Sequence, residues 1–150
     1  MALAAALVCL VVGITDGDTL KARCGEPGNY QQVTVRLAAV DAPERRQAFG
    51  NASRQHLAAL CFQQRAQIAP RTTDRYGRLV ADVACQGQDA GGELVRSGMA
   101  WVYKRYAAKR DAPLSRLEAQ ARAARAGLWA DPAPVAPWEW RRSQRNSPRM

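Results

Sequence analysis

The chain has 150 residues, with 22 Lys and Arg against 13 Asp and Glu and a formal net charge of +9. That length fits one domain, no internal repeat divides it, and the positive excess favours polyanionic partners, nucleic acid or anionic membrane. Four cysteines without a CxxC spacing argue against zinc or thioredoxin-like chemistry, and the opening apolar run is too short for a spanning helix.

That run, MALAAALVCLVVGI, has no Lys or Arg before it and leads directly into an apparent strand. Residues 1–6 are therefore expected to be the remnant of a signal peptide or a mis-set start, with Leu7 onward mature. Val8 to Cys24 reads as strand, Asp16-Gly17 turn and strand, and Gln32 to Val40 alternates as a third strand after the turn cluster CGEPGNY. Cys9 and Cys24 lie equally far from the Asp16-Gly17 turn, so they face one another across the hairpin, close enough for a disulfide. That leaves Cys61 with Cys85. Two bridges imply an oxidising compartment, periplasmic or secreted; four buried thiols are the alternative.

Phe49 to Gln64 has helix-forming composition, with Asn51 as a cap and the single histidine, His56, as a packing residue. Arg65 to Arg71 and Arg78 to Cys85 read as two further strands. A short helix follows from Glu93 to Ser97, and a longer one from Pro113 to Leu128 with Leu114, Leu117 and Ala121 on one face. The tail DPAPVAPWEWRRSQRNSPRM is expected to be extended, held through Trp138 and Trp140. The division is thus 1–6, 7–130 and 131–150. The fold class is α+β, a five-stranded OB-like β-barrel with about three α-helices.

Acidic residues gather at strand ends: Asp16 and Asp18 in TDGDT, Asp41 and Glu44 in VDAPE. Either motif alone is an ordinary turn, but together they supply the carboxylate oxygens that a hard divalent cation takes. Arg36 and Arg78 add guanidiniums able to grip a phosphate.

The stretches VVGITDGDTL, VRLAAVDAPE, FGNAS, TDRYGRLVA, LVRSGMAWVY and EAQARAARAGLW resemble the blocks of the staphylococcal nuclease family, in its order and at similar spacing. The resemblance implies calcium held by Asp18, Asp41 and the Ala42 carbonyl, with Asp16 beside them. It implies catalytic roles for Arg36, Glu44 and Arg78, a phosphate contact from Tyr76, and a base-stacking tyrosine at Tyr103 or Tyr106. The implied activity is hydrolysis of DNA and RNA, single strands preferred, to 5′-hydroxyl and 3′-phosphate ends, by a monomer needing no protein partner. Two departures stand out: the loop RRQAF after Glu44 is short, and Ala42 stands where the best-known member has threonine. The rival readings are a non-catalytic OB-fold nucleic-acid-binding module, as in members that have lost the catalytic residues, and a cationic envelope protein.

Overall fold

A computed structural model describes residues 6–146 of the chain. Residues 1–5 of the expected leader remnant, and 147–150 of the tail, lie outside the described residues. Five long strands form the barrel: β1 Leu7–Asp16, β2 Thr19–Glu26, β3 Asn29–Leu37, β5 Arg65–Thr73 and β6 Leu79–Cys85. They follow the order β3-β2-β1-β5-β6, and a parallel pairing of β3 with β6, Arg36 opposite Val80, closes the ring. This is the expected OB-like α+β barrel, because inward residues such as Val11, Leu20, Val35, Ile68, Ala81 and Val83 are fully or almost fully buried.

Short strands complete the frame: β4 Val40–Asp41 pairs with β8 Trp101–Val102, and β7 Gln88–Asp89 extends β6. Among the described residues there are four α-helices rather than about three: α1 Gly50–Cys61, α2 Ala90–Arg96, α3 Ala112–Ala123 and α4 Pro137–Asn146. The additional one, α4, replaces the expected extended tail. Pro137 opens it and Glu139 lies in its first turn, both favourable at a helix N-terminus. Asn51 does not cap α1; the preceding Phe49 takes the cap position in a left-handed conformation with no side-chain hydrogen bond. No helix among the described residues is long and apolar enough to cross a membrane.

The first hairpin turns at Gly17-Asp18, since Asp16 pairs with Thr19, and not at Asp16-Gly17. Two register shifts in β1, between Val11 and Gly13 and between Ile14 and Asp16, each insert one residue. They offset the misplaced turn, so that Leu10 faces Arg23 and the cysteine beside each is still aligned. Both bridges form: Cys9 to Cys24 with Cα atoms 4.5 Å apart, and Cys61 to Cys85 at 5.3 Å.

The second bridge ties the end of α1 to the end of β6 across 24 residues of chain, with both cysteines fully buried. By loop-closure entropy, the double substitution Cys61→Ala, Cys85→Ala is expected to cost about 3 kcal/mol. Equilibrium denaturation in urea measures this directly. A change below about 1 kcal/mol would mean that packing alone holds α1 on the barrel.

Candidate active site

Two turns and the end of β3 bring their polar residues together at one end of the barrel. The β1–β2 turn carries Asp16 and Asp18. Pairing of Thr19 with Arg36 sets the Arg36 side chain next to Asp18, and a bend at Ala39, φ 67°, delivers β4 with Asp41. Arg36 fixes that bend, its Nη1 donating to the Leu37 and Val40 carbonyls at 2.8 and 2.7 Å. Its Nη2 lies 3.2 Å from Asp41 Oδ1 and 3.5 Å from Asp18 Oδ2. Opposite Val40, the backbone N–H of Val102 in β8 donates to the buried Glu118 of α3 at 2.6 Å, anchoring the strand that backs the site.

Close packing of small groups holds the turns in place. A β-carbon on Gly17 would lie 2.6 Å from that of Ser53 in α1 and 2.9 Å from that of Ala42. One on Gly50, the first residue of α1, would overlap the Glu44 carbonyl. The Ala42 N–H donates to Asp18 Oδ2 at 2.8 Å, which joins the two acidic turns. In the short loop after Glu44, Gln47 accepts from the Glu44 N–H at 3.2 Å and donates to the Val135 carbonyl at 2.7 Å, pinning the loop to the segment before α4.

Burial and crowding shape the charges. Asp16 is pushed up from 3.8 to about 8, by burial first and then by the neighbouring Asp18 charge. Burial also acts to raise Asp18, but the Arg36 guanidinium, aided by hydrogen bonds from Asp16, the Ala42 N–H and Thr19, holds it below the ordinary range. Burial lifts Asp41 to about 6 against the opposing hydrogen bonds of Arg141.

A raised folded-state value means that the native protein binds the Asp16 proton more tightly than the unfolded chain does. The stability that this contributes is complete below 3.8 and is lost as pH rises through about 8. With divalent cations chelated, stability is expected to fall by about 1 kcal/mol per unit between pH 6 and 8. Denaturation curves across that window check it. Asp16→Asn should flatten the slope; an unchanged slope in that variant would assign the titration elsewhere.

The expected residues separate into two groups. Asp16, Asp18, Arg36, Asp41, Ala42 and Glu44 are brought together. Arg78 and Tyr76 lie in the β5–β6 turn, where Arg78 Nε donates to Asp74 at 2.8 Å and the Arg75 and Arg78 guanidiniums lie over the Tyr76 ring. Tyr76 is 67 % exposed, open to a ligand. The two candidate stacking rings differ: Tyr103 is already covered by Trp138, stacked at 5.3 Å and 7°, whereas Tyr106 meets Tyr103 edge-on and is 62 % exposed. His56 faces Ser97 at 3.3 Å, a contact between α1 and the end of α2 far in kind from acid–base work.

Arg141 lies outside the residue set expected from the sequence. From α4 its Nη1 reaches Glu44 Oε1 at 2.8 Å and Asp41 Oδ1 at 3.1 Å, while Nη2 reaches Asp41 Oδ2 at 2.8 Å. The signal was present in PWEWRRSQRN, where Trp138 and Arg141 fall three residues apart on one helical face.

Among the described residues no three of His, Cys, Asp and Glu form a metal-binding group by themselves. Two buried aspartates, the Ala42 main chain and solvent nevertheless make an all-oxygen donor set, which suits a hard cation that keeps several waters.

Residues 34–131 match the family model described as staphylococcal nuclease homologue. The chain is 42 % identical to a protein of Shigella flexneri named micrococcal nuclease, over 91 % of this chain and 82 % of that protein. It is 41 % identical to Protein ParB of Escherichia coli, over 91 % and 80 % of the two chains. A protein of Haemophilus influenzae named as an endonuclease shares 43 % identity, over 91 % and 74 %.

Proposed function

We propose, from the premise that this chain belongs to the staphylococcal nuclease family, that it is a calcium-dependent endonuclease hydrolysing DNA and RNA to 5′-hydroxyl and 3′-phosphate ends. The observation that carries this reading is the convergence of Asp18, Asp41, Glu44 and Arg36 from two turns and strand β3 onto one end of the barrel. Burying carboxylates is costly unless they are paired, and a cluster of buried carboxylates with shifted proton affinities at one end of a barrel is the pattern of a functional site.

Asp18, Asp41 and the Ala42 carbonyl would hold calcium, which supplies charge neutralisation to a bound phosphate and acidity to water. Glu44, half-buried at the rim, takes the proton of the attacking water; a positioned carboxylate contributes about 10²–10⁴-fold as a general base. Arg36 and Arg78 meet the negative charge that grows on the phosphoryl oxygens, an interaction realised mainly in the transition state. Arg78 is bound to a single surface aspartate and is a third exposed, so it can exchange that partner for a phosphate. Tyr76 sits beside it as a phosphate contact, and the open Tyr106 ring is the platform for an unpaired base, which favours single strands.

The two disulfides support an oxidising location, periplasmic or secreted. The working unit we propose is a monomer.

The test is incubation of purified protein with denatured DNA and with RNA, in calcium or in chelator, with end-group analysis of the fragments. Calcium-dependent cleavage leaving 3′-phosphates is expected. Salt-sensitive binding without cleavage would replace this reading with a non-catalytic nucleic-acid-binding module.

A further inference from the structure

Arg141 engages the same carboxylates that the calcium reading assigns to metal binding and proton transfer. Its fork spans both oxygens of Asp41, a residue with no solvent exposure, and one oxygen of Glu44. Arg36 already uses Asp41 Oδ1 from the other side. A cation held by Asp41 would draw on an oxygen that also accepts from Arg141. Two positive centres would then share one buried carboxylate, and their repulsion is strong where water is scarce.

The placement of Arg141 is built, not incidental. Trp138, one turn earlier on α4, stacks on Tyr103 and meets Trp101 edge-on, while Ala136 and Pro137 are buried at the start of the helix. Beyond Arg141 the described residues of the helix are exposed. The preceding segment is pinned by the Gln47–Val135 hydrogen bond, so the loop that carries Glu44 and the helix that carries Arg141 are joined at both ends. The described residues of α4 beyond Arg141 are exposed and the helix lies outside the barrel strands, so it can loosen without unfolding the barrel.

We propose that Arg141 is a positioning residue that closes the Asp41–Glu44 pair against a divalent cation, so that displacement of α4 is coupled to cation entry and sets the site's affinity. The inference rests on the calcium reading above. A cation that binds only the open arrangement has its apparent affinity reduced by the fraction open. Removing the guanidinium, or loosening the helix that presents it, must therefore tighten cation binding. Arginine suits this role better than lysine, because a planar fork can address two carboxylates at once.

The test titrates calcium alone, without nucleic acid, into the native full chain, Arg141→Gln and Trp138→Ala, followed calorimetrically. Both variants are expected to bind calcium about tenfold more tightly than the native protein. Circular dichroism confirms that each is folded, and Arg141→Gln stands independently should Trp138→Ala be unstable. In the native protein, calcium is also expected to speed amide exchange over residues 137–146, a readout that activity does not touch. Equal affinities, or weaker binding by Arg141→Gln, would overturn the proposal while leaving calcium binding intact. Failure of all three proteins to bind calcium would overturn the cation reading itself and this inference with it.

Discussion

Glu44→Gln is expected to lower kcat on denatured DNA by about 10²–10⁴-fold, with KM and thermal stability close to native. Glutamine keeps the size of the side chain and retains an oxygen for the Arg141 Nη1 hydrogen bond, now 2.8 Å from Glu44 Oε1. The Glu44 N–H still donates to Gln47, so the short loop should hold its course. What is lost is the basic carboxylate, and the group is half-exposed, so its neutralisation leaves no buried charge unpaired. An effect confined to kcat therefore reports proton removal and not folding. Steady-state rates measured with calcium in excess separate the two constants. Retention of more than about a tenth of native kcat would move the base to another group and leave Glu44 a loop residue.

Much of the fold could be read from local signals. Alternation in β3 and β6, the glycines of the turns and the leucine spacing of α3 each identify an element by its own periodicity. The carboxylate set could be read because its members sit in turns whose residue types are unusual in combination. What escaped was non-local. The two bulges in β1 have no marker in the sequence, since an inserted residue such as Val12 resembles its neighbours. Phe49 takes a left-handed cap position that composition assigns to Asn or Gly, because the contact of Gly50 with the Glu44 carbonyl dictates the chain path. The Pro and Arg content of the tail masks the helix signals in PWEWRRSQRN, and nothing local marks Arg141, whose partners lie about a hundred residues away. Choosing between Tyr103 and Tyr106 likewise needed Trp138, whose ring covers the first and not the second.

The two proposed phosphate-facing arginines should fail differently. Arg36 is nearly buried and satisfies two backbone carbonyls and two aspartates, so Arg36→Ala removes the guanidinium paired with the buried Asp18, takes away one of the two that serve Asp41, and frees the bend at Ala39. Breaking a buried pair from one side costs about 3–5 kcal/mol, and for a chain of this size that lowers the melting temperature by about 10 °C. Arg78 is a third exposed, ion-paired with Asp74 and placed over the exposed Tyr76 ring, and a surface pair of this kind is worth at most about 1 kcal/mol, so Arg78→Ala should melt within a few degrees of native. Both should lose activity, on the order of 10²–10³-fold or more, when assayed well below either melting point. Arg36→Lys should recover little, because one ammonium cannot serve the Leu37 and Val40 carbonyls together with both carboxylates. Thermal melts and cleavage rates on the same preparations resolve the pattern. If Arg78→Ala destabilised the protein as much as Arg36→Ala, the Asp74 pair would be a structural element of the β5–β6 turn and its guanidinium would not be available to a phosphate. If Arg36→Ala cleaved at near-native rate, its charge would serve the carboxylates alone and transition-state stabilisation would fall to Arg78.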